Sequence, residues 1–135
     1  MALSRREAFG SLAVLLAAAH AQAQEPQTAA GPRGPVFKHD LPNVSLDGWD
    51  VTVSHVDYAP GRVGQSHQHR GFLFAYVLEG EVIAQVLGDG VSDEVKTYKA
   101  GEMFYEPIGS THQVSKNASA TKPARLLAIN LAKKN

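Results

Sequence analysis

Apolar and polar residues alternate along "WDVTVSHVDYAPG", residues 49–61, and the alternation stops at Pro60-Gly61. A period of two marks a strand with one face buried. "FLFAYVL" (72–78) is an unbroken aromatic and aliphatic run, closed by a turn at Glu79-Gly80-Glu81. "VIAQVL" (82–87) is a further strand, ending in Gly88-Asp89-Gly90, and "EVKTYKAGE" (94–102) another. "MFYEPIGSTHQVS" (103–115) carries Pro107 and Gly109 where a strand must bend. "PARLLAINLA" (123–132) closes the chain; Pro123 before it and the β-branched Ile129 within it favour a strand over a short helix. Short strands about 8–12 residues apart, with no sustained helical period and no solenoid-length repeat, predict an all-β sandwich or barrel.

The first residues have a different pattern. "MALSRREAFGSLAVLLAAAHAQAQ" has a basic start (Arg5, Arg6), an apolar run from Phe9 to Ala19, and the small-residue site Ala21-Gln22-Ala23. That is the layout of a cleaved secretory signal. The run is about eleven residues, against roughly 20 for a membrane span, so no permanent anchor is expected. The alternative is an N-terminal amphipathic helix. "SRREAF" also resembles a twin-arginine export signal, with Phe9 one place later than usual; general secretion is the alternative route. The expected organisation is a signal over 1–23, a flexible Pro- and Gly-rich lead-in over 24–43, and one β domain over 44–135, placed in the periplasm or secreted.

Composition narrows the chemistry. The chain has 135 residues, consistent with one domain, and 44% are hydrophobic, enough for a core. Its formal net charge is zero, which gives no argument for a nucleic-acid partner or an anionic membrane surface. There is no cysteine, which removes disulfides, thiolate metal sites and cysteine nucleophiles. No G-x-S-x-G elbow, phosphate-binding glycine loop or H-E-x-x-H is present.

The histidines carry the candidate chemistry. His67 and His69 are two apart, so on a strand they share a face. Imidazole is the commonest protein ligand for a first-row divalent metal, but two alone bind weakly. By itself the pair is read equally well as two exposed loop residues. Its surroundings change that. Gly61 precedes His67 by five intervening residues, and Gly80 follows at a turn; further on, Gly101, Pro107, Gly109 and His112 recur at fixed spacing. These two blocks resemble the two motifs of the cupin superfamily, G(x)5HxH(x)3-4E(x)6G and G(x)5PxG(x)2H(x)3N. The resemblance spans about residues 44–131. Asn117 falls one place late, with Lys116 at the family's Asn position.

The resemblance implies a small double-stranded β-helix, or jelly-roll barrel. It implies one divalent metal ion near the mouth, held by His67, His69 and His112, with Gly61 and Gly101 opening the strands and Pro107 and Gly109 aiming His112 inward. The family's Glu position is Leu73 here, so the usual carboxylate is expected to be missing. An ion held by three neutral imidazoles keeps its full charge and an extra open position. Some cupins with three-His iron sites are dioxygenases acting on diketones or thiols. Fe(II) is therefore favoured, with Mn, Ni, Cu or Zn as alternatives that histidine also suits. Substitute acids are Glu102 and Glu106, which share a strand face with Phe104. With Met103 and Tyr105 on the core side, both acids point outward. Glu106, held extended by Pro107, remains a secondary candidate for an acid beside the metal, and no general base is identified.

Other residues are weighed against ordinary packing. His55 is in phase with Val51 and Val53 and is a minor cavity candidate, as is Tyr58. Arg62 and Arg70 flank the histidine pair and could clamp a carboxylate, although solvated surface arginines are commoner. Gln113 alternates away from His112, Trp49 packs at the domain edge, and His20 and His39 are given no role. Phe72, Phe74, Tyr76, Met103, Phe104 and Tyr105 are expected to form core and, in part, an apolar pocket wall. The expected function is an exported metal cupin acting on, or binding, a small molecule and pairing as a homodimer. The two versions are a non-haem Fe(II) dioxygenase-type enzyme and a non-catalytic ligand-binding or sensing module with structural metal or none. The weakest reading is a metal-free structural dimer.

Overall fold

Among the described residues eight strands follow one another; most arise where the alternation or apolar runs predict one, the exceptions being the two-residue strand at His67–Gln68 and the division of residues 103–115 into two strands at the Pro107–Gly109 bend. A computed structural model describes residues 34–135; the proposed export signal lies outside the described residues. The strands are β1 (Trp49–Tyr58), β2 (His67–Gln68), β3 (Phe72–Glu79), β4 (Glu81–Leu87), β5 (Lys96–Lys99), β6 (Met103–Glu106), β7 (Thr111–Asn117) and β8 (Ala124–Lys133). Among the described residues there is no helix. Two four-stranded antiparallel sheets form, ordered β1-β8-β3-β6 and β2-β7-β4-β5. This is the expected double-stranded β-helix, in which consecutive strands pass from one sheet to the other except at β4 and β5, which pair as a hairpin within the second sheet.

Cross-strand partners share a sheet face, so the registers fix what points inward. In the first sheet Val56 pairs with Leu126, and Leu126 with Val77; Ala128 pairs with Ala75, and Ala75 with Phe104. In the second, Val82 pairs with Asn117 and Ala84 with Ser115. Leu73, Ala75, Val77, Val82, Ala84, Val86, Phe104 and Leu126 make one buried cluster between the sheets. Each large apolar side chain removed from water there stabilises the barrel by roughly 1.5–3 kcal/mol before entropy is counted.

The outer face of the first sheet is also apolar. Val53, Ile129, Phe74 and Tyr105 form one row, and His55, Leu127, Tyr76 and Met103 another. The residues expected to form core and part of a pocket wall are therefore mostly on the outer face; of Phe72, Phe74, Tyr76, Met103, Phe104 and Tyr105, Phe104 alone belongs to the inner cluster. Phe72, fully buried, is covered by Trp49 at 5.7 Å between ring centroids and by Tyr105 at 6.2 Å. Residues ahead of β1 join this layer: Phe37 meets Phe74 edge-on at 6.0 Å, and the His39 ring lies 4.1 Å from Tyr105.

Candidate metal centre

His67 and His112 are direct cross-strand partners in β2 and β7. Strand pairing alone thus brings a residue of the first motif against a residue of the second. Their ring centroids are 5.2 Å apart. His69, just past β2, returns its ring toward His67, with the two Nε2 atoms 3.1 Å apart. One ligand atom from each of His67, His69 and His112 fits within 4.8 Å of the others. His112 is buried, and the turn before it is built as expected: Gly109 takes φ +73°, Ser110 N–H donates to the Pro107 carbonyl at 3.1 Å, and β7 starts at the next residue. A side chain at Gly109 would strain that left-handed backbone.

The sequence-based expectation fails for the carboxylate. Glu106 does not point outward. It is 1% exposed, the side chain lies inside, and Phe104 two residues earlier is in the core. Glu106 Oε1 lies 3.0 Å from His112 Nδ1, and Oε2 lies 3.3 Å from His69 Nε2. The outward face belongs to Met103 and Tyr105 instead. Glu102, in the turn before β6, is exposed as expected, and its carboxylate accepts the Lys99 N–H at 2.7 Å. The cluster is therefore three imidazoles and one carboxylate. Leu73 leaves the motif position without an acid, as expected; the expectation that Glu106 points outward is corrected, because the register puts it inside from a different strand.

Burial by itself would push the Glu106 carboxyl up. The contacts with His112 and then His69, and their charge, outweigh burial and hold it at about 2. His69 is raised in turn, first by Glu106, against the opposing effect of burial. Two buried atoms of the cluster, Glu106 Oε2 and His112 Nε2, have no hydrogen-bond partner among the described residues. His67 Nδ1 is 2.9 Å from the Gln65 carbonyl, which fixes the proton on Nδ1 and leaves an Nε2 lone pair facing His69. A buried carboxylate oxygen and a buried ring nitrogen without partners, beside the His67 lone pair, are what a cation would satisfy. The donor set fits a first-row divalent ion, so the three histidines could hold one.

The cluster opens on a cavity of about 540 Å³ inside the barrel. Its walls are largely apolar, from Val56, Leu73, Ala75, Leu126 and Ala128, with Tyr58, Arg62 and Ser115 as polar groups. Tyr58 and Ser115 hydrogen-bond hydroxyl to hydroxyl at 2.6 Å, and burial raises the Tyr58 pKa. Arg62 stacks over the Tyr58 ring, 5.3 Å from its centroid, and donates to the Asp57 carbonyl. Of the other candidates, His55 lies on the outer face and has no place in the site. Arg70 is away from the cavity, bonded to the Asn135 side chain at 2.6 Å. Gln113 is exposed, as expected.

The match to known proteins agrees with this geometry. The family model described as "Cupin domain" matches residues 54–130. A germin-like protein, subfamily 2 member 4 of Arabidopsis thaliana, is 35% identical over 84 residues, covering 62% of this chain and 38% of that protein. The chain thus spans about two fifths of the length of that relative. Among solved structures, a Thermus thermophilus protein, TT1209, is 28% identical, with TM-score 0.52 over 62% of this chain and 74% of that one. A predicted oxalate decarboxylase of Thermotoga maritima shares the fold at 22% identity, with TM-score 0.50 over 61% and 65% of the two chains. With both motifs on facing strands of one barrel and the domain model matched across it, the chain belongs to the cupin family.

Proposed function

We propose that this chain is an exported cupin that holds one divalent metal ion, Fe(II) first, through His67, His69 and His112. It would use the ion in dioxygenase-type chemistry on a small organic molecule. The observation that carries the reading is the position of the cluster, in the wall of an open cavity of about 540 Å³ at the barrel mouth, with His112 buried and His67 exposed. That volume suits a small ligand, and mostly apolar walls with a few polar groups are the usual make-up of such a site.

The residues of the chain divide the work. Val56, Leu73, Ala75 and Leu126 give the cavity an apolar wall. The Tyr58–Ser115 pair offers hydroxyls, and the Arg62 guanidinium offers positive charge to a polar end of the ligand. The ionised Glu106 lowers the net charge of the cluster below that of three neutral imidazoles. A bound ion would supply Lewis acidity and open coordination positions for substrate and dioxygen.

Two further parts of the reading rest on separate features. Export to the periplasm rests on Arg5-Arg6, the apolar run and Ala21-Gln22-Ala23; N-terminal sequencing of protein recovered from the periplasm checks it. Homodimer formation is supported by the apolar outer face, where Val51 and Val53 stand 61% and 56% exposed; light scattering reads the mass.

The test of the function is metal analysis of protein purified without added metal, then oxygen uptake on a panel of small organic substrates. Near-stoichiometric iron is expected, with uptake that His112→Ala abolishes. Bound zinc with no uptake on any substrate would favour the non-catalytic binding module. Failure of every divalent ion to bind would end both readings.

A further inference from the structure

Leu73 stands where the first motif would carry its Glu, and its direct partner across the β3–β6 ladder is Glu106. The two side chains therefore lie next to each other on the inner face of one sheet. Both line the same cavity as the three histidines. The acid absent from one strand is present on its neighbour.

We propose that Glu106 is the fourth protein ligand of the metal, replacing from β6 the carboxylate that β3 lacks. This rests on the reading that the three histidines hold an ion, and adds a ligand that neither motif supplies. Three observations support it. First, the spacing is right. Bonds of about 2.1 Å put ligand atoms on adjacent positions about 3.0 Å apart in an octahedron and about 3.4 Å in a tetrahedron. His67 Nε2 to His69 Nε2 is 3.1 Å and His69 Nε2 to Glu106 Oε2 is 3.3 Å, while Glu106 Oε1 pairs with His112 Nδ1 at 3.0 Å and leaves His112 Nε2 without a partner. Secondly, Oε2 is buried without a hydrogen-bond partner among the described residues, although it is a charged oxygen. Thirdly, no Lys or Arg pairs with the acid among the described residues. Arg62, the cation that shares the cavity, is stacked on Tyr58 and bonded to the Asp57 carbonyl. Glu106 has the histidines as its ion-pair partners.

The test compares wild type, Glu106→Gln, and the exchange variant Leu73→Glu/Glu106→Leu, each titrated with Co(II) against a competing chelator. Wild type should bind one ion per chain, with a shift in a carboxylate stretching band that Glu106→Gln lacks. Glu106→Gln should lose more than about a hundredfold in affinity, beyond the roughly 10–100-fold given by loss of a group that only orients a ligand, and its Co(II) absorption should change. The exchange variant, which returns the acid to the motif position, should recover affinity to within about tenfold of wild type. The proposal is overturned if Glu106→Gln binds within a hundredfold with an unchanged Co(II) spectrum, which would make Glu106 an orienting residue. It is also overturned if wild type binds cobalt with no carboxylate shift, a readout that needs no variant to fold. If wild type binds no ion at all, the reading of the histidines as a metal site fails with it.

Discussion

Tyr58 and Ser115 meet inside the barrel hydroxyl to hydroxyl at 2.6 Å, joining the end of β1 to β7 across the gap between the sheets. Both groups are buried, so neither can exchange this partner for bulk water. Tyr58→Phe keeps the ring and removes the bond, leaving the Ser115 hydroxyl to find another partner. The expected cost is about 1–2 kcal/mol, from one net hydrogen bond plus part of the desolvation of its orphaned partner. Urea denaturation reads it as a lower midpoint with an unchanged slope. An unchanged midpoint would show that the bond contributes nothing net.

Asn117 closes β7 in a similar way, but through the backbone. Its Nδ2 lies 3.2 Å from the carbonyls of Tyr58 and Ala59 and 2.8 Å from that of Lys122, while Oδ1 accepts the Ser119 N–H at 2.8 Å. One buried side chain thus satisfies the loops after β1 and β7. Asn117→Ala should cost roughly 2–4 kcal/mol, because several partners are left unpaired together. Thermal unfolding should show a drop of many degrees, whereas Lys116→Ala, at the family's nominal Asn position, should leave the transition nearly in place.

That offset shows what the sequence could and could not tell. Counting residues puts Asn117 one place late. The structure explains why it still works: β7 carries a bulge opposite Gln85 and Val86, so that Val114 pairs with Gln85 but His112 with Val86. The extra residue restores the inward face, and His112, Ser115 and Asn117 all point in. The strands and the three histidines were legible because turn residues, runs and fixed spacings are local. The face of β6 was not. Its neighbour β3 is apolar on both faces, as buried strands often are, so alternation could not say whether Phe104 and Glu106 or Met103 and Tyr105 looked inward. The same ambiguity put His55 among the cavity candidates and the outer aromatics among the pocket walls. That Leu73 faces Glu106 is a matter of register between strands far apart in sequence.

Gly71 lies between the first histidine pair and β3, where two backbones nearly touch. A Cβ built there would come 1.8 Å from the Leu131 carbonyl oxygen and 2.8 Å from the Ala132 Cα. Backbone atoms of a central strand cannot swing aside as a flexible side chain would, so Gly71→Ala must push the start of β3 away from β8. The expected loss is about 2 kcal/mol or more, of the size usual for overpacking. His69, two residues earlier, should move with it, so metal affinity should fall together with stability. Denaturant and metal titrations of the same variant test the link. A destabilised variant that still bound metal with wild-type affinity would separate the two.

The contact between Glu106 and the histidines should also set the pH dependence of the metal-free protein. The Glu106 carboxyl is held at about 2, against 4.5 in the unfolded chain. A lowered carboxyl stabilises the fold fully above its unfolded value, and that contribution is lost as pH falls toward the folded one. His69 is shifted the opposite way, above its unfolded 6.5. Its contribution is complete below 6.5 and disappears as pH rises through its folded value. The contact is therefore strongest between about 4.5 and 6.5, and the chelator-treated protein should lose stability on either side of that window. On the acid side the loss should be on the order of 3 kcal/mol. Urea midpoints measured across the range, on wild type and Glu106→Gln, decide the matter. The variant should be less stable inside the window and flatter outside it, and an identical pH profile for the two proteins would show that the stability changes come from other groups.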